Sequence, residues 1–363
     1  MILENCLKIA RWGIKNNFKG ELSLFSGEIL AQQVGYDLLN ALYELYSTTD
    51  IHPYMIMIPT NFTFICDDQL TKKVEDIIER FKSINIFLCL SASFDGKYLE
   101  ENRPYVKDLD IPIKLIRDDI YYDKVFTFCK KYDYGFHPMI AAKGIEKWCD
   151  NFDWFIKQMK AHNIEENFLY LLEVRDGDWQ AQDYIEYEKL LRHIYYYLWD
   201  EVAQHNKKDM IDIIMSDYSF NLLRSFSPRK NGISCSIQNQ LHIRASDLKF
   251  VACHRTAYPE LEIATLKIDQ NGEITNELID IKHSELGYVI PQLKTSLLPG
   301  CIHCSISKIC SGGCFGSQYE TCKELFSPIP NICLLFHIKI KVLINLFKET
   351  GIFDGILNEL NKE

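Results

Sequence analysis

Residues 301–314 read Cys301-Ile-His-Cys304-Ser-Ile-Ser-Lys-Ile-Cys310-Ser-Gly-Gly-Cys314, and Cys333 follows eighteen intervening residues later. Upstream, Cys235 and Cys253 are separated by seventeen residues. Cysteines set two, five and three residues apart suit a loop wrapped around an inorganic centre. A single helix or strand could not bring them together. Ser311, Gly312 and Gly313 let the backbone bend and approach a sulfur-rich group closely. Thiolates select zinc or iron–sulfur clusters. Seven such thiolates are too many for one tetrahedral zinc, so the choice lies between a two-zinc ribbon and iron–sulfur clusters.

The totals narrow the setting. A chain of 363 residues has room for two domains, or one large domain with an extension. Its 47% hydrophobic and 25% charged content is ordinary for a folded protein. The net charge of −10 argues against nucleic-acid and anionic-membrane partners, which reward clustered Lys and Arg. Eight of the thirteen cysteines fall in 235–333. The other five, Cys6, Cys66, Cys89, Cys129 and Cys149, lie among apolar residues and read as core thiols. The opening MILENCLKIARW lacks the order of a signal peptide. The longest apolar run, Cys333 to Phe347, is interrupted by His337, Lys339, Lys341 and Asn345, and reads as too broken to span a bilayer. Clustered thiols with no export signal point to a reducing cytoplasm and to metal.

Working back to the start, strands and helices alternate. Helices are expected at 2–16, with Ile2, Cys6, Ile9 and Gly13 on one stripe, and at about 34–47, 67–81, 121–132, 145–162 and 182–205. Strands are expected at 21–25, 54–58, 84–91, 111–117, 135–140 and 168–174. This pattern implies an α/β fold with a parallel sheet. Residues 226–234, rich in Ser, Pro, Gly and charge, mark a boundary. Beyond it come short strands at 260–268 and 273–280 around a turn at Asp269–Gly272, the cysteine run, and a helix at about 334–348.

The cysteine run resembles the SPASM domain, the extension found on radical S-adenosylmethionine enzymes that modify peptides. Seven cysteines fall into that family's spacing. Two features depart from it: the last gap is longer by one residue, and Leu248 stands where the family usually has Gly. The resemblance implies two auxiliary [4Fe–4S] clusters. Cys301, Cys304, Cys310 and Cys333 would hold one, and Cys235, Cys253 and Cys314 the other. Cys322 or an open iron site would complete the second.

The first half adds to the resemblance. Ser26-Gly27-Glu28, Thr60-Asn61 and Ser93-Phe-Asp95-Gly96 follow three successive expected strands, where a parallel α/β barrel carries its functional loops. Radical S-adenosylmethionine barrels end successive strands in similar motifs. The likeness implies a partial (β/α)6 barrel, TIM-barrel-like and lacking its first strand, over residues 1–228. A SPASM domain would occupy 229–335 and a helical segment 336–363. Gly27, Glu28, Asn61 and Ser93 would bind S-adenosylmethionine, with Glu28 receiving its amino group.

The family's Cys-x3-Cys-x2-Cys, which holds the cluster that cleaves S-adenosylmethionine, has no counterpart in these residues. Either the sequence is truncated, or it is a paralogue that lost the cluster. Truncation is favoured, because a barrel without its first strand exposes an edge. Without that triplet, S-adenosylmethionine and a third cluster are expected only if a missing N-terminal segment is present. The implied activity is radical modification of a peptide or protein, with flavodoxin or ferredoxin as reductant. The alternative is a non-catalytic, metal-loaded protein that binds a peptide or a partner. No catalytic base stands out. Glu173, Arg175, Asp176 and Asp178 follow the last expected barrel strand and read as a solvated loop. His254 reads as a structural hydrogen-bonding residue.

Overall fold

The structure is a computed structural model that describes residues 2–25, 27–102, 118–174, 178–203, 241–289, 297–307, 310, 313–351 and 354. The strand expected at 111–117 and the boundary at 226–234 lie outside the described residues. The chain forms two compact units, and neither is continuous in sequence. One comprises Met1–Phe94, Pro104–Phe136 and Ser236–Pro291; the other comprises Asp95–Arg103, His137–Cys235 and Gln292–Glu363.

The first unit opens with α1 (Ile2–Lys15), followed by β1 (Glu21–Ser23), α2 (Gln33–Tyr46), β2 (Met55–Thr60), α3 (Asp68–Ser83), β3 (Phe87–Ala92) and, later, α4 (Asp119–Tyr132). The three strands form a parallel sheet in the order β1-β2-β3, with Ser23 opposite Met57 and Thr60 opposite Ala92. Helical crossovers between successive strands make the parallel arrangement possible. Burial alternates along β2 and β3: Ile56, Ile58, Leu88, Leu90 and Ala92 are fully covered, while their neighbours are partly exposed. Asp67 starts α3 by accepting bonds from the Gln69 and Leu70 amides, as its place before the helix predicts. An aromatic cluster of Phe62, Phe64, Phe94, Phe126, Phe128 and Phe136 fills the core beyond the strand ends.

The same unit contains an antiparallel sheet of four strands in sequence order: β6 (His242–Arg244), β7 (Lys249–Val251), β8 (Glu262–Ile268) and β9 (Ile274–Ile279). Leu248, Leu266 and Ile274 form its buried cluster, and Ile9 and Trp12 of α1 pack against it. The expected α1 stripe is therefore rotated, since Ile2 is exposed. Polar contacts fasten the same pair: Asn5 to the Ala245 carbonyl, Arg11 to Glu273, and Trp12 to Asn276. Glu262 is buried between Lys249 at 2.6 Å, Arg244 at 2.5 Å and Lys282 at 3.1 Å, which together hold its carboxyl down to about 2.

In the second unit β4 (Met139–Ile140) and β5 (Leu172–Glu173) pair in parallel. Both are much shorter than the expected 135–140 and 168–174. Phe136 makes only an isolated bridge, to Ala92 within the first unit, and Glu166–Phe168 form a helical turn. The helices are α5 (Trp148–Ala161), α6 (Ala181–Tyr197), α8 (Phe315–Cys322) and α9 (Pro330–Glu349); α7 (Ser284–Val289) belongs to the first unit. A π-helical turn, Leu198–Ala203, extends α6.

One expectation is corrected here. α9 begins at Pro330, and its twenty residues are long and apolar enough to cross a membrane by length and composition. In the fold it is buried along one face only, and Leu334 and Ile344 are exposed. It buries Leu335, Phe336, Ile338, Val342 and Leu346, and Lys341 pairs with Glu188 of α6 at 2.9 Å.

Candidate metal centre and strand-end site

The cysteine run wraps a cavity of about 180 Å³ in the second unit. Cys301, Cys304, Cys310, Cys314 and Cys333 all line it. Cys301 closes a turn of helix begun by Pro299, Cys314 caps the N-terminus of α8, and Cys333 lies in the first turn of α9. Gly313 takes φ +84°, a conformation that favours glycine, and the loop can therefore turn between Cys310 and Cys314. Ser311 and Gly312, also expected to help, lie outside the described residues.

The electrostatics fit a cationic occupant. Burial, reinforced by Cys310, Cys301 and Cys304, pushes the Cys333 thiol up to about 11. Burial, with Cys310 and Cys304, also raises Cys301. Thiols that share a cavity resist becoming thiolates together, and a metal centre reverses that resistance. Among the described residues no three of His, Cys, Asp or Glu close on a single ion. A multi-iron core takes one protein sulfur on each iron, and five thiols line this cavity. The donor set and the cavity thus fit a cluster.

Two other groups on this cavity were not anticipated from the sequence. His337 places Nε2 3.7 Å from Cys304 Sγ. Ser317 is wholly buried, and among the described residues its Oγ has no hydrogen-bond partner. The spacing held both signals: His337 is one helical turn after Cys333, and Ser317 is three residues after Cys314.

The other metal candidates are dispersed. Cys253 is buried in the first unit, where its Sγ accepts from the Arg255 amide at 3.2 Å and Thr256 Oγ1 caps its N–H. Cys235 lies outside the described residues. Cys322 ends α8 and does not line the cavity. His254 stacks on Phe25 with ring centroids 4.6 Å apart, which sets the Cys253 segment beside the loop that follows β1. His242, 6.1 Å from the same ring, is pushed down to about 4 by burial and by His254.

At the sheet, the three motifs emerge from the same ends of β1, β2 and β3. Glu28 is buried and joins two of them. Its carboxylate accepts from the Thr60 hydroxyl and the Asn61 amide, both at 2.6 Å. Burial raises the Glu28 carboxyl above its ordinary range, against those bonds. Among the described residues no Lys or Arg pairs with it, so a bound ammonium would relieve that burial. Gly27 has φ +39° and open space where a Cβ would stand, so a ligand can approach its backbone. Ser26 lies outside the described residues.

The Asn61 side chain is turned to local use, accepting from the amide and hydroxyl of Thr63. Its carbonyl takes the Tyr121 hydroxyl at 2.6 Å. Ser93 donates its N–H to the Thr60 carbonyl at 2.8 Å, which ties the third motif to the second. In the second unit, Asp95 receives the Met139 amide and Gly96 takes φ +101° against Asn151.

Glu173 is not part of a solvated loop. It is buried, paired with the equally buried Lys339 of α9, and accepts the Tyr187 hydroxyl at 2.5 Å. Asp178 is exposed, and Arg175 and Asp176 lie outside the described residues.

The fold matches solved structures. The chain resembles anSMEcpe, an anaerobic sulfatase-maturating enzyme, in its structure with bound AdoMet. That match has a TM-score of 0.57 and 14% identity, and covers 96% of this chain and 85% of the other. The structure of anSMEcpe with bound AdoMet and the Kp18Cys peptide matches with a TM-score of 0.57 and 14% identity, over 96% of this chain and 89% of that one. A further AdoMet-bound structure gives 0.55 and 18%, over 95% and 88%. No protein-family model and no curated protein matches the chain.

Proposed function

We propose that this chain is a radical S-adenosylmethionine protein with a SPASM cysteine domain, acting on a peptide or protein substrate. The observation that carries the reading is the cavity lined by Cys301, Cys304, Cys310, Cys314 and Cys333, in a chain whose fold follows an AdoMet-bound structure over nearly its whole length. Cys301, Cys304, Cys310 and Cys333 would hold one auxiliary [4Fe–4S] cluster. Cys314, Cys235 and Cys253 would hold a second, completed by Cys322 or left with one open iron. S-adenosylmethionine, with a reducing cluster of its own, would supply a radical that takes hydrogen from a substrate carbon.

The chain's own residues bind and orient. Glu28, held by Thr60 and Asn61, presents its carboxylate to the ammonium of the methionine moiety. Gly27 admits that group to the backbone, and Ser93 keeps the second and third strand ends in one layer. The cytoplasm supplies the reducing setting, flavodoxin or ferredoxin the electrons, and neither nucleic acid nor membrane is a partner.

The test is anaerobic reconstitution with iron and sulfide. About eight irons per chain and a broad charge-transfer band are expected. About two zincs and no iron under the same conditions would reject the reading. Cys310→Ala should halve the iron and leave the cluster of Cys235, Cys253 and Cys314.

A second reading is favoured by one observation: no Cys-x3-Cys-x2-Cys occurs in these 363 residues. On that reading the same scaffold, loaded with metal, binds a peptide or a partner without catalysis. Formation of 5′-deoxyadenosine separates the two.

A further inference from the structure

The cysteine cavity is lined by more than sulfur. Ser317 lies in the first turn of α8, three residues after Cys314, and is fully buried. Among the described residues its Oγ finds no partner. A hydroxyl withdrawn from water without an acceptor is unfavourable. The surface it helps to form is that of a cavity lined by five thiols together with Ser307, Gln318 and His337. Across the cavity His337 follows Cys333 by one turn of α9, and its Nε2 reaches to 3.7 Å from Cys304 Sγ. With the proton on Nε2, the imidazole donates toward that sulfur. Two independent side chains, on two helices, thus offer N–H or O–H groups to the cavity that the thiols line.

We propose that Ser317 and His337 donate hydrogen bonds to the sulfurs of the cluster held by Cys301, Cys304, Cys310 and Cys333, and so raise its reduction potential. The inference rests on the cluster reading above. Reduction adds one electron, and the added negative charge spreads over the sulfides and thiolates. A donor aimed at those sulfurs stabilises the reduced form more than the oxidised one. The pair therefore makes this cluster a better electron acceptor than four thiolates alone would.

The experiment is a redox titration of the reconstituted full chain, followed by electron paramagnetic resonance. Cys310→Ala identifies which wave belongs to this cluster, since that wave disappears. His337→Phe and Ser317→Ala should each keep the wild-type iron content and move the wave to lower potential. The expected change is tenfold in the one-electron equilibrium, ~59 mV. His337→Gln, which keeps an N–H, should restore most of the loss. Full iron with an unmoved wave in both variants overturns the proposal. So does a Gln variant shifted as far as the Phe variant, because the donor would then not matter. A variant that loses iron assigns that residue to holding the cluster, and also overturns it. Wild-type chain that takes up no iron rejects the underlying cluster reading, a failure distinguishable from all of these.

Discussion

Leu248 sits at φ +58°, in the left-handed region, in the tight turn between β6 and β7. That explains why a glycine suits this position, and why the leucine here is a compromise. Its side chain is buried with Leu266 and Ile274, and that burial offsets a backbone strain of about 1–2 kcal/mol. Leu248→Ala loses the burial and keeps the strain, for about 2–5 kcal/mol. Leu248→Gly loses the burial but relieves the strain. The glycine variant should therefore unfold at a higher urea concentration than the alanine variant, the reverse of their order in a helix. Alanine proving the more stable would contradict the strain argument. Glu28 carries a second residue-scale prediction. Burial holds its folded pKa above the unfolded value, so the folded chain binds the proton more tightly. Its contribution to stability is full at low pH and is lost as pH rises through the raised titration range. Glu28→Gln keeps both bonds, with Nε2 donating to Thr60 Oγ1 and Oε1 accepting from the Asn61 amide. The variant's stability relative to wild type should climb as pH rises above ~4.3. A gap that does not change with pH would mean that the carboxyl is unshifted.

Among the elements, α9 carries the most. It supplies Cys333 and His337 to the cavity and Lys339 to Glu173 at the end of β5. Lys339→Met should destabilise the chain by about 3–5 kcal/mol, because it leaves a buried carboxylate without its cation. Adding Glu173→Gln should restore most of the loss, since the amide oxygen still accepts the Tyr187 hydroxyl. Chemical denaturation of the single and double variants measures both, and a double variant no better than the single would refute the ion-pair account. These side chains also mark how far the sequence could be read. Strand–helix alternation gave β1 to β3 and α1 to α6 to within a few residues, because each apolar run matches one period. The cysteine spacing grouped Cys301, Cys304, Cys310 and Cys333, while Cys314, expected beside Cys235 and Cys253, lines the same cavity as those four. β4 and β5 were overestimated, since the apolar runs 135–140 and 168–174 do not distinguish ladder residues from residues that are merely buried. Glu173 was read as solvated because its cation lies 166 positions away, beyond any local pattern. His337 and Ser317 were passed over because their spacing from Cys333 and Cys314 gains meaning only once both helices are known to flank one cavity.

For the whole molecule, the chemistry sets a clear limit. Cleaving S-adenosylmethionine needs three thiolates on three irons and a fourth iron left for the substrate's amino and carboxylate groups. These 363 residues hold no such triplet near Glu28, and Cys6 stands alone on α1. The chain, reconstituted and reduced with dithionite, should therefore yield no 5′-deoxyadenosine by liquid chromatography; turnover would mean that other cysteines do this work. A ribosomally made peptide should bind measurably by fluorescence anisotropy, and tight, salt-sensitive binding to RNA would overturn the peptide assignment. The discontinuous first unit has a consequence for how the protein is made. α1 is translated well before its partners Ala245, Glu273 and Asn276, which follow it by some 240 to 264 residues. At ~5–20 residues per second, Ile9 and Trp12 wait roughly 10–50 s for the sheet that covers them. During that interval the nascent chain presents the apolar face of this helix uncovered.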